Sequence, residues 1–273
     1  MRPQVQILLA PPGSRSRVRS PADGNRLPGF CVCWPALPLL PVTSLARPGA
    51  LVRSRSRPAV VPTLGPMTVR RGLLWCGVAG SGLFILIFLI NDVVKPDYDP
   101  VRDAVSEAGI GSGGWLQIAN FTVSGLLITA SSVAISQVVN RWTGMLVGLV
   151  GAGLALAGVF VSDPVPTDDA TWHGMIHNVV GSLSSAALVA ACFVAAQWRT
   201  TALWRWYSLV VGVAMPLTFV VATGATETLG IWQRLTNVIG WTWLIVLALR
   251  AMRASATSEG DQGRRVDVTS VSA

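Results

Sequence analysis

Six apolar stretches, at approximately 72–91, 116–138, 143–162, 174–197, 206–224 and 232–252, each approach the roughly 20 residues a helix needs to cross a bilayer. The polar connections between them alternate in charge. Arg70 and Arg71 precede the first stretch, Arg141 lies between the second and third, and Arg199 and Arg205 lie between the fourth and fifth. Arg250, Arg253, Arg264 and Arg265 follow the sixth. The other connections hold Asp97, Asp99, Asp103 and Glu107, then Asp163, Asp168 and Asp169, then Glu227. Lys95, Arg102 and Arg234 are their cations. Backbone groups in hydrocarbon must be satisfied within the chain, and the two-residue alternation of a barrel strand is absent, so helices are predicted. Positive charge is retained on the cytoplasmic side. The expectation is an all-α membrane protein, a six-transmembrane-helix bundle in the plasma membrane with both termini cytoplasmic. Trp142, Trp198, Trp204 and Trp206 are placed at the inner interface, and Trp115, Trp172 and Trp232 at the outer one.

Composition supports a lipid environment. Hydrophobic residues make up 51% of the chain and charged residues 12%, against about a quarter charged in a soluble domain. The net charge of +8 belongs to residues 1–66, where nine arginines face the single acid Asp23. Residues 67–273 carry twelve basic and twelve acidic side chains. A neutral body argues against nucleic acid and leaves the lipid bilayer as the implied partner. Cys76 and Cys192 lie inside apolar runs, where a small buried hydrophobe is the expected role.

Three regions follow. Residues 1–66 hold twelve of the 17 prolines and repeated Arg-Ser pairs, a composition that reads as a disordered leader. The abrupt change at Met67 to an apolar run points to Met67 as the native start; the alternative is a cytoplasmic tail. Residues 67–252 form the membrane domain, with glycines at 144, 148, 151, 153 and 158 allowing close helix packing. Pro216 is expected to kink the fifth span. Residues 253–273 read as a disordered cytoplasmic tail.

Candidate functional residues lie in the acidic connections. In the first, Asp99 is suited to N-cap a short outer-surface helix begun by Pro100 and ended by Ala108-Gly109, with Arg102 and Ser106 on one face. In the second, His173 and His177, the two histidines of the chain, are one helical turn apart. Together with Asp163 they could ligate zinc, with Ser106 bonded to metal-bound water. No cofactor is the preferred reading, with His177 instead hydrogen-bonding Asp163 and joining two helix ends. In the third, Arg234 begins the sixth span, and a salt bridge to Asp163 or Glu107 is its expected partner.

The pattern Tyr98-Asp99-Pro100-Val101-Arg102-Asp103-x-x-Ser106-Glu107-x-Gly109, followed by Asp163-Pro164-Val165-Pro166, Gly174-x-x-His177 and Gly230-x-x-Gln233-Arg234, resembles the bacterial membrane family catalogued as domain of unknown function 998. The likeness covers about residues 72–252. It implies six membrane helices and no assigned activity, and it groups Asp99, Arg102, Ser106, Glu107, Asp163, His177 and Arg234 as one polar cluster. A looser likeness to seven-helix hydrolases such as the alkaline ceramidases implies zinc chemistry, but this chain has six spans and two histidines. The leading functional expectation is an outer polar cluster that binds a lipid headgroup or small ligand. The alternatives are a metal-dependent intramembrane lipid hydrolase and a small transporter.

Overall fold

The computed structural model describes residues 67–165, 167, 169–198 and 201–271, with side chains from Thr68 to Thr257 within that set. The leader, Pro166, Asp168 and Arg199 lie outside the described residues. Among the described residues the chain is helical, without strands. The helices are α1 (Met67–Val94), α2 (Trp115–Val138), α3 (Arg141–Val159), α4 (Trp172–Ala195), α5 (Ala202–Gly224) and α6 (Leu229–Val271). All six contain a segment long and apolar enough to cross a membrane. Their starts follow local chemistry. Asn140, Thr171 and Thr201 cap α3, α4 and α5 by accepting from the backbone N–H of Thr143, Gly174 and Trp204.

The helices form a ring. Each packs on its neighbour in sequence, and α6 returns to pack on α1. The closest pairing is α2 with α3, where a Cβ at Gly144 would strike Ser136, and one at Gly151 would lie 2.5 Å from the Thr129 nitrogen. Small residues thus bring two backbones together, as the glycine pattern predicts. The polarity of the packing suits a lipid solvent. Leu86, Leu126, Leu149, Leu183 and Leu217 face outward, whereas Asn91, Gln117, Asn120, Ser124 and Ser131 are buried. Inside, the Asn91 Nδ2 donates to Gln117 Oε1 (2.8 Å), and the Ser124 hydroxyl donates to Asn120 Oδ1 (3.1 Å).

Three expectations change in detail. The connection after α1 contains no single helix from Pro100 to Ala108. Asp99 Oδ1 accepts from the Val101 N–H (2.9 Å) and its carbonyl accepts from Arg102 and Asp103, closing one turn. A separate 3-10 helix follows at Val105–Gly109. Gln233 interrupts the longer helix, because its Oε1 takes the N–H of Val105. Trp204, placed at the interface by sequence, is 1% exposed; its indole donates to the Ala195 carbonyl (2.8 Å) and stacks on Trp243. Trp115, Trp142, Trp172 and Trp206 do face outward. Finally, α6 continues as helix through residues 253–271, which composition predicts to be unstructured. A helix nucleated in the sixth span is prolonged readily through Arg253, Ala254 and Ala256, although Gly260 and Gly263 farther on each cost about 1 kcal/mol.

Candidate functional site: a polar cavity within the helix ring

The acidic end is fastened by three separate devices, each built on one of the sequence motifs. At the first, α6 presents Gly230, Gln233 and Arg234 to the loop after α1. A Cβ at Gly230 would lie 2.5 Å from the carbonyl oxygens of both Pro100 and Asp103, so only glycine lets the loop seat there. Arg234 then grips Asp92 with two nitrogens, Nε to Oδ2 (3.0 Å) and Nη2 to Oδ1 (2.7 Å). Its Nη1 donates to the Asp103 carbonyl (3.0 Å) and Nη2 to the Tyr98 hydroxyl (2.6 Å). The expected partners, Asp163 and Glu107, are not used. Asp92 ends the first span on the face turned to α6, whereas the other two carboxylates are committed elsewhere. Burial pushes the Tyr98 phenol up, against the lowering pull of the Arg234 charge, so it stays a neutral hydroxyl.

At the second device, Asp163 serves the start of α4. Its Oδ2 accepts from the Thr171 N–H (2.8 Å) and its Oδ1 from the Thr171 hydroxyl (2.7 Å). These bonds hold its carboxyl below the usual carboxylate range. A side chain at Gly174 would collide with that carboxylate, which accounts for the glycine. His177 does not bond Asp163. Its Nδ1 lies 2.9 Å from the Ala157 carbonyl and 2.7 Å from the Phe160 carbonyl, at the open C-terminal end of α3. Carbonyls only accept, so Nδ1 carries a proton and Nε2 is left to act elsewhere. His173 likewise places Nδ1 3.0 Å from the Val161 carbonyl. The histidines therefore bind α4 to the end of α3 through backbone, not through the carboxylate. Asp163 and His173 share the Thr171 hydroxyl, 2.7 Å from Asp163 Oδ1 and 3.1 Å from His173 Nδ1, while His177 is engaged apart. Among the described residues no three His, Cys, Asp or Glu side chains are arranged to hold a metal ion.

The third device is superficial. Arg102 pairs with Glu227 (2.9 Å) and lies 4.0 Å from Asp99, with all three side chains more than half exposed, a geometry worth about 0–1 kcal/mol. Glu107 turns inward to accept from the Ala104 N–H (2.9 Å), and burial pushes its carboxyl up. The seven residues grouped by sequence thus divide among several local arrangements.

Two of them, Ser106 and His177, meet at a cavity of about 320 Å³ inside the ring. It occupies the space where α4 and α6 scarcely touch. Phe84, Phe121 and Trp241 form its apolar wall. Its polar wall takes Gln233 of the third motif and adds residues that the motifs do not reveal: Asn178, Ser182 and Ser185 on α4, and Asn237 on α6. The α4 group falls at i, i+4 and i+7, and the α6 pair at i and i+4, so each set occupies one face. That spacing inside apolar spans is the signal that sequence offers. The side chains of Asn178, Ser182, Ser185 and Asn237 make no hydrogen bond within the described protein, and Gln233 leaves its amide nitrogen free. Among the described residues no Asp, Glu, Lys or Arg lines the cavity.

Residues 78–250, spanning α2 to α5 whole, most of α1 and the first half of α6, match the family described as a protein of unknown function, DUF998. The chain belongs to this family. The DUF998 match covers all three fastening motifs and the cavity, so both are features of the family domain within this chain. No curated protein and no solved structure matches the chain.

Proposed function

We propose that this DUF998 protein is a bacterial plasma-membrane protein, with its arginine end in the cytoplasm, that binds a small amphiphile in the cavity between α4 and α6. The ligand carries an uncharged polar headgroup, such as a hydroxyl or amide, and an apolar remainder. One observation carries the reading: unpartnered Ser, Asn and Gln side chains converge from two helices on a cavity inside the membrane-crossing region. A polar side chain left in hydrocarbon without a partner costs about 1–3 kcal/mol, so several together call for a polar occupant. The absence of charge in the lining favours a neutral headgroup, and the aromatic wall suits an apolar body. Asn178, Ser182 and Ser185 also extend onto the exposed side of α4, opposite the half-exposed Phe219 of α5. This arrangement supports entry from the bilayer between those helices.

The test uses the full chain purified in mild detergent, with bound small molecules extracted and identified by mass spectrometry. A Cβ at Gly181 would meet nothing within 4 Å, so Gly181→Leu is expected to fill the cavity without disturbing the fold. The expected outcome is a neutral amphiphile bound near one per chain in the native protein and depleted at least tenfold in Gly181→Leu. An identical extract from both proteins would refute the reading.

A further inference from the structure

The opposite end of the ring carries a second cleft, between the ends of α1 and α6, with a volume of about 270 Å³. Arg70, Arg71 and Arg253 line it, together with the hydroxyls of Thr68 and Ser255, above a buried floor at Leu74. Among the described residues its charge is uncompensated: no described carboxylate lines it, and none of its arginines forms an ion pair there. Arg70 also buries its Nε without a hydrogen-bond partner. Several other arginines have partners: Arg102 and Arg234 have carboxylates, while Arg141 and Arg250 lie over Trp142 and Trp204. Three guanidinium groups and the Thr68 hydroxyl around one recess can donate to a tetrahedral oxyanion, while the Ser255 hydroxyl donates to the Ala251 carbonyl; guanidinium forks match phosphate oxygens.

We propose that this cleft binds the phosphate of an anionic phospholipid from the leaflet at the arginine end. Its position supports a lipid source. The first span begins at Thr68, beside the cleft, and the outward-facing Val69 and Trp75 flank it where acyl chains would run. A choline-bearing lipid fits poorly, because the three cations repel its quaternary ammonium. Each arginine near a membrane surface contributes about 1 kcal/mol to attraction for anionic lipid, equivalent to about fivefold in affinity.

Native mass spectrometry of the full chain in detergent, titrated separately with phosphatidylglycerol and phosphatidylcholine, tests the assignment. The native protein should bind phosphatidylglycerol preferentially. Affinity should fall about fivefold in Arg71→Gln and about 25-fold in Arg70→Gln/Arg253→Gln, with Arg141→Gln unchanged. Arg71 is exposed, so its variant keeps the test open if the double variant folds poorly; unfolding midpoints without added lipid report that directly. Equal binding of the two lipids, or undiminished phosphatidylglycerol binding in both cleft variants, would overturn the proposal. Displacement of the lipid by an equal concentration of inorganic phosphate would overturn the lipid source and assign the cleft to soluble phosphate.

Discussion

Replacing Arg234 by methionine separates the electrostatic clasp at the acidic end from simple packing. The guanidinium is 12% exposed and Asp92 is 13% exposed, so loss of the arginine leaves a carboxylate out of water with no counter-charge. One-sided removal of a buried ion pair costs about 3–5 kcal/mol. The Tyr98 hydroxyl and the Asp103 carbonyl each lose a donor as well. Removing both charges, in Arg234→Met/Asp92→Leu, eliminates the stranded carboxylate and leaves only those two neutral acceptors, a cost of about 1–2 kcal/mol. The double variant should therefore be more stable than Arg234→Met alone, although it carries an additional substitution. Reversible unfolding in mixed micelles, followed by far-ultraviolet circular dichroism on all four members of the cycle, measures the coupling. A double variant as unstable as the sum of the singles would refute the reasoning. So would an Arg234→Met loss below about 0.5 kcal/mol, the range of an inert surface change.

Gly230→Ala should destabilise by about 1–3 kcal/mol in the same assay, because its methyl group meets backbone oxygens of Pro100 and Asp103 that cannot move aside singly. Thr171→Val removes one donor to Asp163, whose lowered carboxyl pKa adds stability above its ordinary value near 3.8 that is lost as pH falls through the folded-state value. The variant's acid unfolding midpoint should accordingly move to higher pH than that of the native chain. For sidedness, an impermeant thiol reagent applied to intact cells should label Glu227→Cys and spare Arg141→Cys, in a background with the four native cysteines replaced by alanine. Labelling of Arg141→Cys alone would invert the proposed orientation.

The spans were legible because each is a long apolar run: the first five helices begin and end within about five residues of the predicted stretches, and the sixth begins within three residues of its stretch but continues past it to Val271. Caps were partly legible for the same local reason: Asp99 does organise a turn, and Gly174 and Gly230 stand where backbone or carboxylate needs room. What local pattern could not give was helix-to-helix register. Arg234 finds Asp92 across 142 residues of chain, and either of two nearer-looking carboxylates was equally plausible from composition. His177 reaches backbone carbonyls, which leave no trace in side-chain identity. The cavity was hidden for another reason. Attention to charge favours the connections, whereas Asn178, Ser182, Ser185 and Asn237 are neutral and scattered within apolar runs until helical periodicity collects them.

The α2–α3 pair is joined by only Val139 and Asn140, and it is sealed along its length by backbone contact at glycine. Such a hairpin demands little loop-closure entropy and can assemble as soon as its second strand of helix leaves the ribosome. It would then be a template on which later segments dock during biogenesis. Lesions along this seam should surface as lowered cellular abundance through quality control, whereas lesions in the cavity should spare abundance and alter only occupancy.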